Sequence, residues 1–184
     1  PLQFFQNGVY HLTNGTDIFV SKLSEDGTSL LGSTYVGGSG NDGINYNVYG
    51  AQSNYNSIIR YDSLTTNYGD QFRGEIMLDS LNNVIIASCS RSIDFPVINS
   101  FQNTIGGQQD GVVFKLAADF NSMLWSTYLG GSENDAAYSV KIDSSYNVLV
   151  AGGTSSTDFP NMLGGLNPNY LGGKTDGFVT KINS

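Results

Sequence analysis

The chain has one cysteine, one histidine, one tryptophan and few charges, with charged side chains forming only 13% of its 184 residues. Each scarcity excludes something. A lone cysteine, Cys89, leaves no intrachain disulfide to staple the fold, and a buried small side chain is the reading preferred over a reactive thiol. Any Ser-His-Asp or Cys-His site would have to be built on His11, in an irregular N-terminal segment, and a zinc site of His and Cys ligands is excluded by the same counts. The eight basic residues are scattered and the net charge is −8, so no nucleic-acid or anionic-lipid surface is expected. No run approaches the roughly 18 apolar residues of a membrane span. No stretch sustains a 3.6-residue period, so essentially no helix is expected. The sequence starts at Pro1 without an initiator Met or a leader pattern, and is expected to be a mature product or a piece of something longer.

Gly, Asn, Ser, Thr and Tyr fill the polar half of the composition, which suits short strands and tight turns. They are arranged in repeats. DIFVSKL at Asp17, DGVVFKL at Asp110 and DGFVTKI at Asp176 are one phrase, STYVGGSGND and STYLGGSENDA a second, LDSLNNVIIAS and IDSSYNVLVAG a third, SIDFP and STDFP a fourth. Their order never changes. Asp94 and Asp158 lie 64 residues apart, Asp79 and Asp143 also 64, and Asp110 and Asp176 66, whereas Asp17 and Asp110 lie 93 apart. The period is thus about 65, with an insertion of roughly 27 residues, assigned to 43–70, in the first interval.

Each period reads as four short strands bounded by turn residues. Innermost first, they are a (from Ala136), b (from Asn147), c (from Asp110) and d (from Met123), with DSSYN or DSLNN as hairpin turns between a and b. Four-stranded units at a fixed period predict an all-β fold of β-propeller blades, each an antiparallel sheet packed face to face on the next. Residues 17–42 then supply the outer strands of a first blade, 71–129 a complete blade and 136–182 three strands of the next. These are about two and a quarter blades, expected to be a fragment of a larger propeller whose remaining blades come from the same longer chain or from other copies. Along c, Val112, Phe114 and Leu116 are expected to alternate with Val113 and Lys115, as suits a strand nearer the rim.

The run STYLGGSENDAAYSVKIDSSYNVLVAGGTSSTDFP, followed by GGKTDGFVTKI, resembles the SBBP repeat, a bacterial β-propeller repeat of secreted and cell-surface proteins. The resemblance covers 17–42 and 71–182; the insertion and FFQNGVYHLTNG depart from it. It implies an extracellular or cell-surface bacterial protein and a non-catalytic module binding protein or glycan. The alternatives are the propeller part of a secreted glycan-active enzyme with catalytic residues outside 1–184, and a structural spacer in an adhesin or cell-envelope complex.

If the a–b and c–d turns share one face, the longer b–c and d–a connections share the other, and elaboration on one face marks a binding surface. The candidate binding residues are Tyr46, Tyr49, Tyr55, Tyr61 and Tyr68 of the insertion, set among Asn residues, a mixture suited to protein or sugar recognition; a loop packing on its own blade is the alternative. No catalytic set is expected. Asp17, Asp110 and Asp176 recur at one repeat position, as do Asp94 and Asp158, which suits hydrogen bonds to turn amides better than glycoside hydrolysis. Asn41 with Asp42, and Glu133 and Asn134 with Asp135, form oxygen-rich turns that could hold calcium but lack the full spacing of a calcium loop; no other cofactor is expected. Trp125 is assigned to packing. Asp62-Ser63-Leu64 and Asp79-Ser80-Leu81 resemble the Asp-Ser/Thr-apolar O-glycosylation signal of bacteria that export by the type IX route, which makes Ser63 and Ser80 candidate modification sites.

Overall fold

The computed structural model describes residues 3–6, 9–12, 15–44, 74–160 and 165–183. These hold eleven strands and no helix: β1 (Gln3–Gln6), β2 (Val9–Leu12), β3 (Ile18–Leu23), β4 (Leu30–Val36), β5 (Glu75–Leu78), β6 (Val84–Ser90), β7 (Asp110–Leu116), β8 (Met123–Leu129), β9 (Asp135–Ile142), β10 (Val148–Thr154) and β11 (Asp176–Ile182). The N-terminal segment containing His11 is not irregular. It forms the hairpin β1–β2, in which Phe4 lies opposite His11.

The remaining strands form three antiparallel sheets: β3-β4, β5-β6-β7-β8 and β9-β10-β11. They are the outer pair of a first blade, a whole second blade and the inner three strands of a third. Strands b and c keep one register in both later blades, with Ser90 opposite Asp110 and Thr154 opposite Asp176.

Side-chain parity explains why blades stack. Successive residues of a strand point to opposite sheet faces. Val84, Ile86, Val112, Phe114 and Tyr128 of the second blade therefore enter one core with Val20 and Val36 of the first, while Ile85, Ala87, Val113 and Leu129 enter another with Val140, Val148 and Val150 of the third. A sheet covered on both faces needs apolar residues at every position, not at alternate ones. For this reason β7 shows none of the alternation expected of it: Val112, Val113 and Phe114 are all fully buried, and only Lys115 is partly exposed. Cys89 is buried against Ala136 and Tyr138, and Trp125 packs on the second core.

The insertion enters at an unexpected place. In the third blade the pairing of β9 with β10 slips between Ala151 and Gly152, which lie opposite Ser139 and Ala137, so Tyr138 is the extra residue of a β-bulge. In the second blade Asp42 bridges Ser90 as Asp135 pairs with Thr154, and Glu75 pairs with Ala87 as Ser139 pairs with Ala151. Innermost strand a is thus begun by 42–44 and resumed at Gly74, and 45–73 intervene at the bulge position. The insertion interrupts strand a instead of separating d from a.

Candidate functional site

Four turns show how the repeated residues are used. At one end of the blades, Asp79 accepts hydrogen bonds from the amides of Leu81 (2.8 Å) and Asn83 (2.9 Å), and Asp143 does the same for Ser145 (2.8 Å) and Asn147 (3.0 Å). Asn82 and Tyr146 each take the left-handed conformation that closes the turn. A lysine of strand c binds the same carboxylate: Lys115 to Asp79 and Lys181 to Asp143, both at 2.8 Å. Burial works to raise Asp79, but the Lys115 ammonium and the Asn83 and Leu81 donors outweigh it and hold the group at about 2.

At the opposite end the d–a and b–c connections clasp each other. Ser92 donates to Asp42 Oδ2 (2.7 Å) and accepts from the Gly40 amide (2.9 Å), Gly38 N–H donates to the same Asp42 oxygen (2.8 Å), and the Ser39 amide donates to Asp94 (2.7 Å). One blade on, Ser156, Asp135, Glu133, Gly131, Ser132 and Asp158 repeat the arrangement at 2.7–2.9 Å. Asp110 sits beside the clasp, accepting from the Gly106 and Gly107 amides and from Gln102. Burial pushes Asp42 and Asp110 upward and lifts Asp135 to about 6, in each case against the hydrogen bonds that would lower it.

The glycines of GGS are required by this packing. A Cβ on Gly130 would lie 2.5 Å from the Asp110 carboxyl carbon and 2.8 Å from Asp135 Oδ2, and one on Gly37 would meet Asp17 and Asp42 in the same way. The repeated Asp, Ser and Gly residues are therefore the joint between blades. Asp94, Asp110 and Asp158 bind turn amides, as the repetition suggested, and so does Asp176, which accepts from the Leu171 amide.

Among the described residues no group of three or more His, Cys, Asp or Glu side chains is placed to hold a metal ion. Asp42 and Asp135 of the oxygen-rich turns are bound to Ser92 and Ser156, and Asn41 caps the Gly15 amide (3.2 Å). Tyr46, Tyr49, Tyr55, Tyr61, Tyr68 and Ser63 lie outside the described residues. Ser80 is exposed in the Asp79 turn, its hydroxyl donating to that of Tyr146 at 3.2 Å. The part played by Ser92 and Ser156 escaped the sequence reading, although SIDFP and STDFP both carry it; the repeated phrase was the available signal.

Among the described residues, antiparallel sheets of two, four and three strands that repeat in register and stack face to face are the architecture of a β-propeller fragment. The family model of the SBBP beta-propeller repeat matches residues 124–160, from strand d of the second blade through strands a and b of the third. No curated protein matches the chain. No helix among the described residues is long and apolar enough to cross a membrane.

Proposed function

We propose that this propeller module is a non-catalytic, extracellular binding module of a large secreted or surface-attached bacterial protein, and that it takes up a protein or glycan through the long connections on one face. The observation that carries this reading is the asymmetry between the two faces. The a–b and c–d connections are tight turns closed by their own Asp and Ser side chains. The other face bears the b–c loops and both ends of the insertion. Gly43 donates its amide to Cys89 O (2.8 Å), and Gly74 lies against Ala87 and Ser88, so the chain leaves and rejoins strand a at one spot beside the clasp. A rigid scaffold with its variable segments on one side is the usual design of a recognition surface. The non-catalytic reading is supported by Asp42, Asp94, Asp110, Asp135 and Asp158 of that face, each of which accepts hydrogen bonds from backbone amides at the joint between blades.

The test is to replace 45–73 by a short Gly-Ser linker and probe both proteins on a glycan array and on a panel of immobilised cell-surface proteins. Retained thermal stability with loss of the wild-type signals is expected. Unchanged signals would overturn the assignment of binding to this face, and turnover of any array polysaccharide would overturn the non-catalytic reading.

A further inference from the structure

A cavity of about 350 Å³ opens on the face that carries the long connections. It lies between the d–a connection leading into the second blade, at Gly40 and Asn41, and the two limbs of that blade's b–c connection, at Arg91 with Ile93 and at Ile105 with Gln108. Main-chain bonds of the joint fix its walls. The Arg91 amide donates to Asn41 O (2.8 Å) and the Gly40 amide to Ser92 Oγ (2.9 Å), which ties the d–a connection to the first limb. The second limb is tied to the third blade, where the Asp135 amide donates to Gln109 O (2.8 Å). A preformed cavity of a few hundred Å³ suits a small ligand or one unit of a larger one.

The lining departs from the repeat. At the next joint Glu133, Ser155, Thr157 and Lys174 stand where Gly40, Arg91, Ile93 and Gln108 stand here. The opposite charges of Glu133 and Lys174 thus give way to neutral residues and Ser155 to an arginine. Arg91 is the only charged residue lining the cavity, in a chain of net charge −8. Its Nη1 donates to Gln109 Oε1 (3.5 Å), and Gln109, fully buried, donates in turn to Asp135 O (3.3 Å), so a buried amide sets the guanidinium in place. Asn41 Oδ1 accepts from the Gly15 and Thr16 amides (3.2 and 3.4 Å), which leaves Nδ2 as the group it offers a ligand.

We propose that this cavity binds a hexuronate residue of an acidic glycan, with the carboxylate on Arg91, ring hydroxyls on Asn41 and Gln108, and the apolar side of the ring against Ile93 and Ile105. The proposal rests on the reading of this face as a binding surface and names its ligand. The planar fork of an arginine meets both oxygens of a carboxylate, and side-chain amides supply the donors and acceptors that hydroxyls require. Ile93 is 82% exposed where the next joint has a threonine, and the C–H surface of a sugar ring would cover it. An aspartate or glutamate side chain would meet Arg91 but bring no hydroxyls for the two amides, which favours the sugar over an acidic peptide.

The probes are di- and trisaccharides of galacturonate and of glucuronate, their methyl esters, and the peptide N-acetyl-Asp-Glu, each titrated into the full chain while backbone amide and arginine Nε resonances are followed by NMR. The acidic sugars should shift the resonances of 40–41, 91–93 and 105–108. Methyl esterification and Arg91→Ser should each weaken binding by about tenfold or more. Ile93→Glu, at an exposed position, puts a negative charge on the cavity wall and should abolish binding at an unchanged unfolding temperature, so the test does not depend on how Arg91→Ser folds. The proposal is overturned if the esters bind as tightly as the acids, if Ile93→Glu binds them like wild type, or if the peptide binds at these residues more tightly than the sugars; in each case the face remains a binding surface. It is also overturned if the acidic sugars shift none of these resonances, and the reading of the face then stands or falls separately, on whether replacing 45–73 removes the wild-type array signals.

Discussion

The Ser156 hydroxyl lies 2.8 Å from Asp135 Oδ2, and this contact is the Ser92 to Asp42 contact carried one blade forward. Both serines are fully buried, and each also receives an amide from the neighbouring connection. Ser156→Ala leaves a buried carboxylate oxygen and the Glu133 amide short of a partner. A loss of about 1–3 kcal/mol is expected for it, and a similar loss for Ser92→Ala, read from urea denaturation midpoints at unchanged slope. Stability equal to wild type in both variants would show that the clasp does not hold the blades.

The same carboxylate gives the protein a distinctive pH response. Burial raises Asp135 in the folded state from the ordinary 3.8 to about 6. As pH falls through 6 the folded protein takes up a proton that the unfolded chain accepts only near 3.8, so this group's contribution to stability increases towards acid, by up to about 3 kcal/mol. Glu75 and Asp79 work in the opposite direction. Held at about 2 by their hydrogen bonds and lysine partners, they stabilise the fold above the ordinary carboxylate range and cease to do so as pH falls towards 2. Thermal stability should therefore rise from pH 7 to a maximum at about pH 4 to 5 and then fall. In Asp135→Asn the rise between pH 7 and 5 should be markedly reduced. A wild-type profile that declines steadily from neutral pH would contradict this account.

Gly130 tests the packing of the joint without removing a hydrogen-bonding group. A methyl group there meets the Asp110 and Asp135 carboxylates inside contact distance, and both are buried and tied in place, so neither can retreat cheaply. Gly130→Ala should cost about 1–3 kcal/mol as an overpacking change. Gly172→Ala is a useful contrast, since its Cβ would meet nothing within 4 Å and only its positive φ opposes the change. Calorimetry should rank the first variant well below the second.

Much of this architecture is legible in the sequence, for a physical reason. A propeller blade must present to its neighbour the same surface that it receives, so VLVAGG, DGVVFKL and STYLGG recur, and the repeat discloses both strands and stacking. The third blade illustrates the limit. Nothing in AAYSVKI announces that Tyr138 is a bulge, because a bulge changes backbone pairing without needing a distinctive side chain, and so the sequence places between d and a an insertion that lies within strand a. The burial of Val113 escapes a period-2 reading for a related reason: that reading assumes one wet face, and strand c of the middle blade has none. Ser92 and Ser156 lay within a repeated phrase, but the repeat alone does not reveal which of its polar residues reaches across to the preceding connection.

The lysine of strand c separates buried from exposed electrostatics within one repeat. The Lys115 to Asp79 pair is largely enclosed, with side chains 22% and 5% exposed, whereas the Lys181 to Asp143 pair faces solvent. Lys115→Ala should cost about 1 kcal/mol and be only weakly sensitive to salt, because an enclosed pair is poorly screened. Lys181→Ala should be close to neutral. Equal effects in the two variants would mean that the aliphatic stems, not the charges, carry the contribution.

Tyr35 and Tyr128 occupy the same position of strand d and meet opposite fates. Tyr128 is wholly buried, its hydroxyl donating to Ser92 O (2.5 Å) and accepting from the Phe95 amide (3.2 Å), and burial pushes its phenol up to about 12. Tyr35 is 78% exposed, opposite Phe19, itself 69% exposed, on the first blade's outer face. Tyr128→Phe should cost about 1–2 kcal/mol, because two buried backbone groups lose their partner. Tyr35→Ser should leave the unfolding midpoint nearly unchanged and, by shrinking an exposed apolar patch, should lower self-association in sedimentation velocity. If Tyr35→Ser instead destabilises the chain as much as Tyr128→Phe, the outer face of the first blade is covered in solution, and like-on-like packing of blades names the cover: another blade of the same repeat.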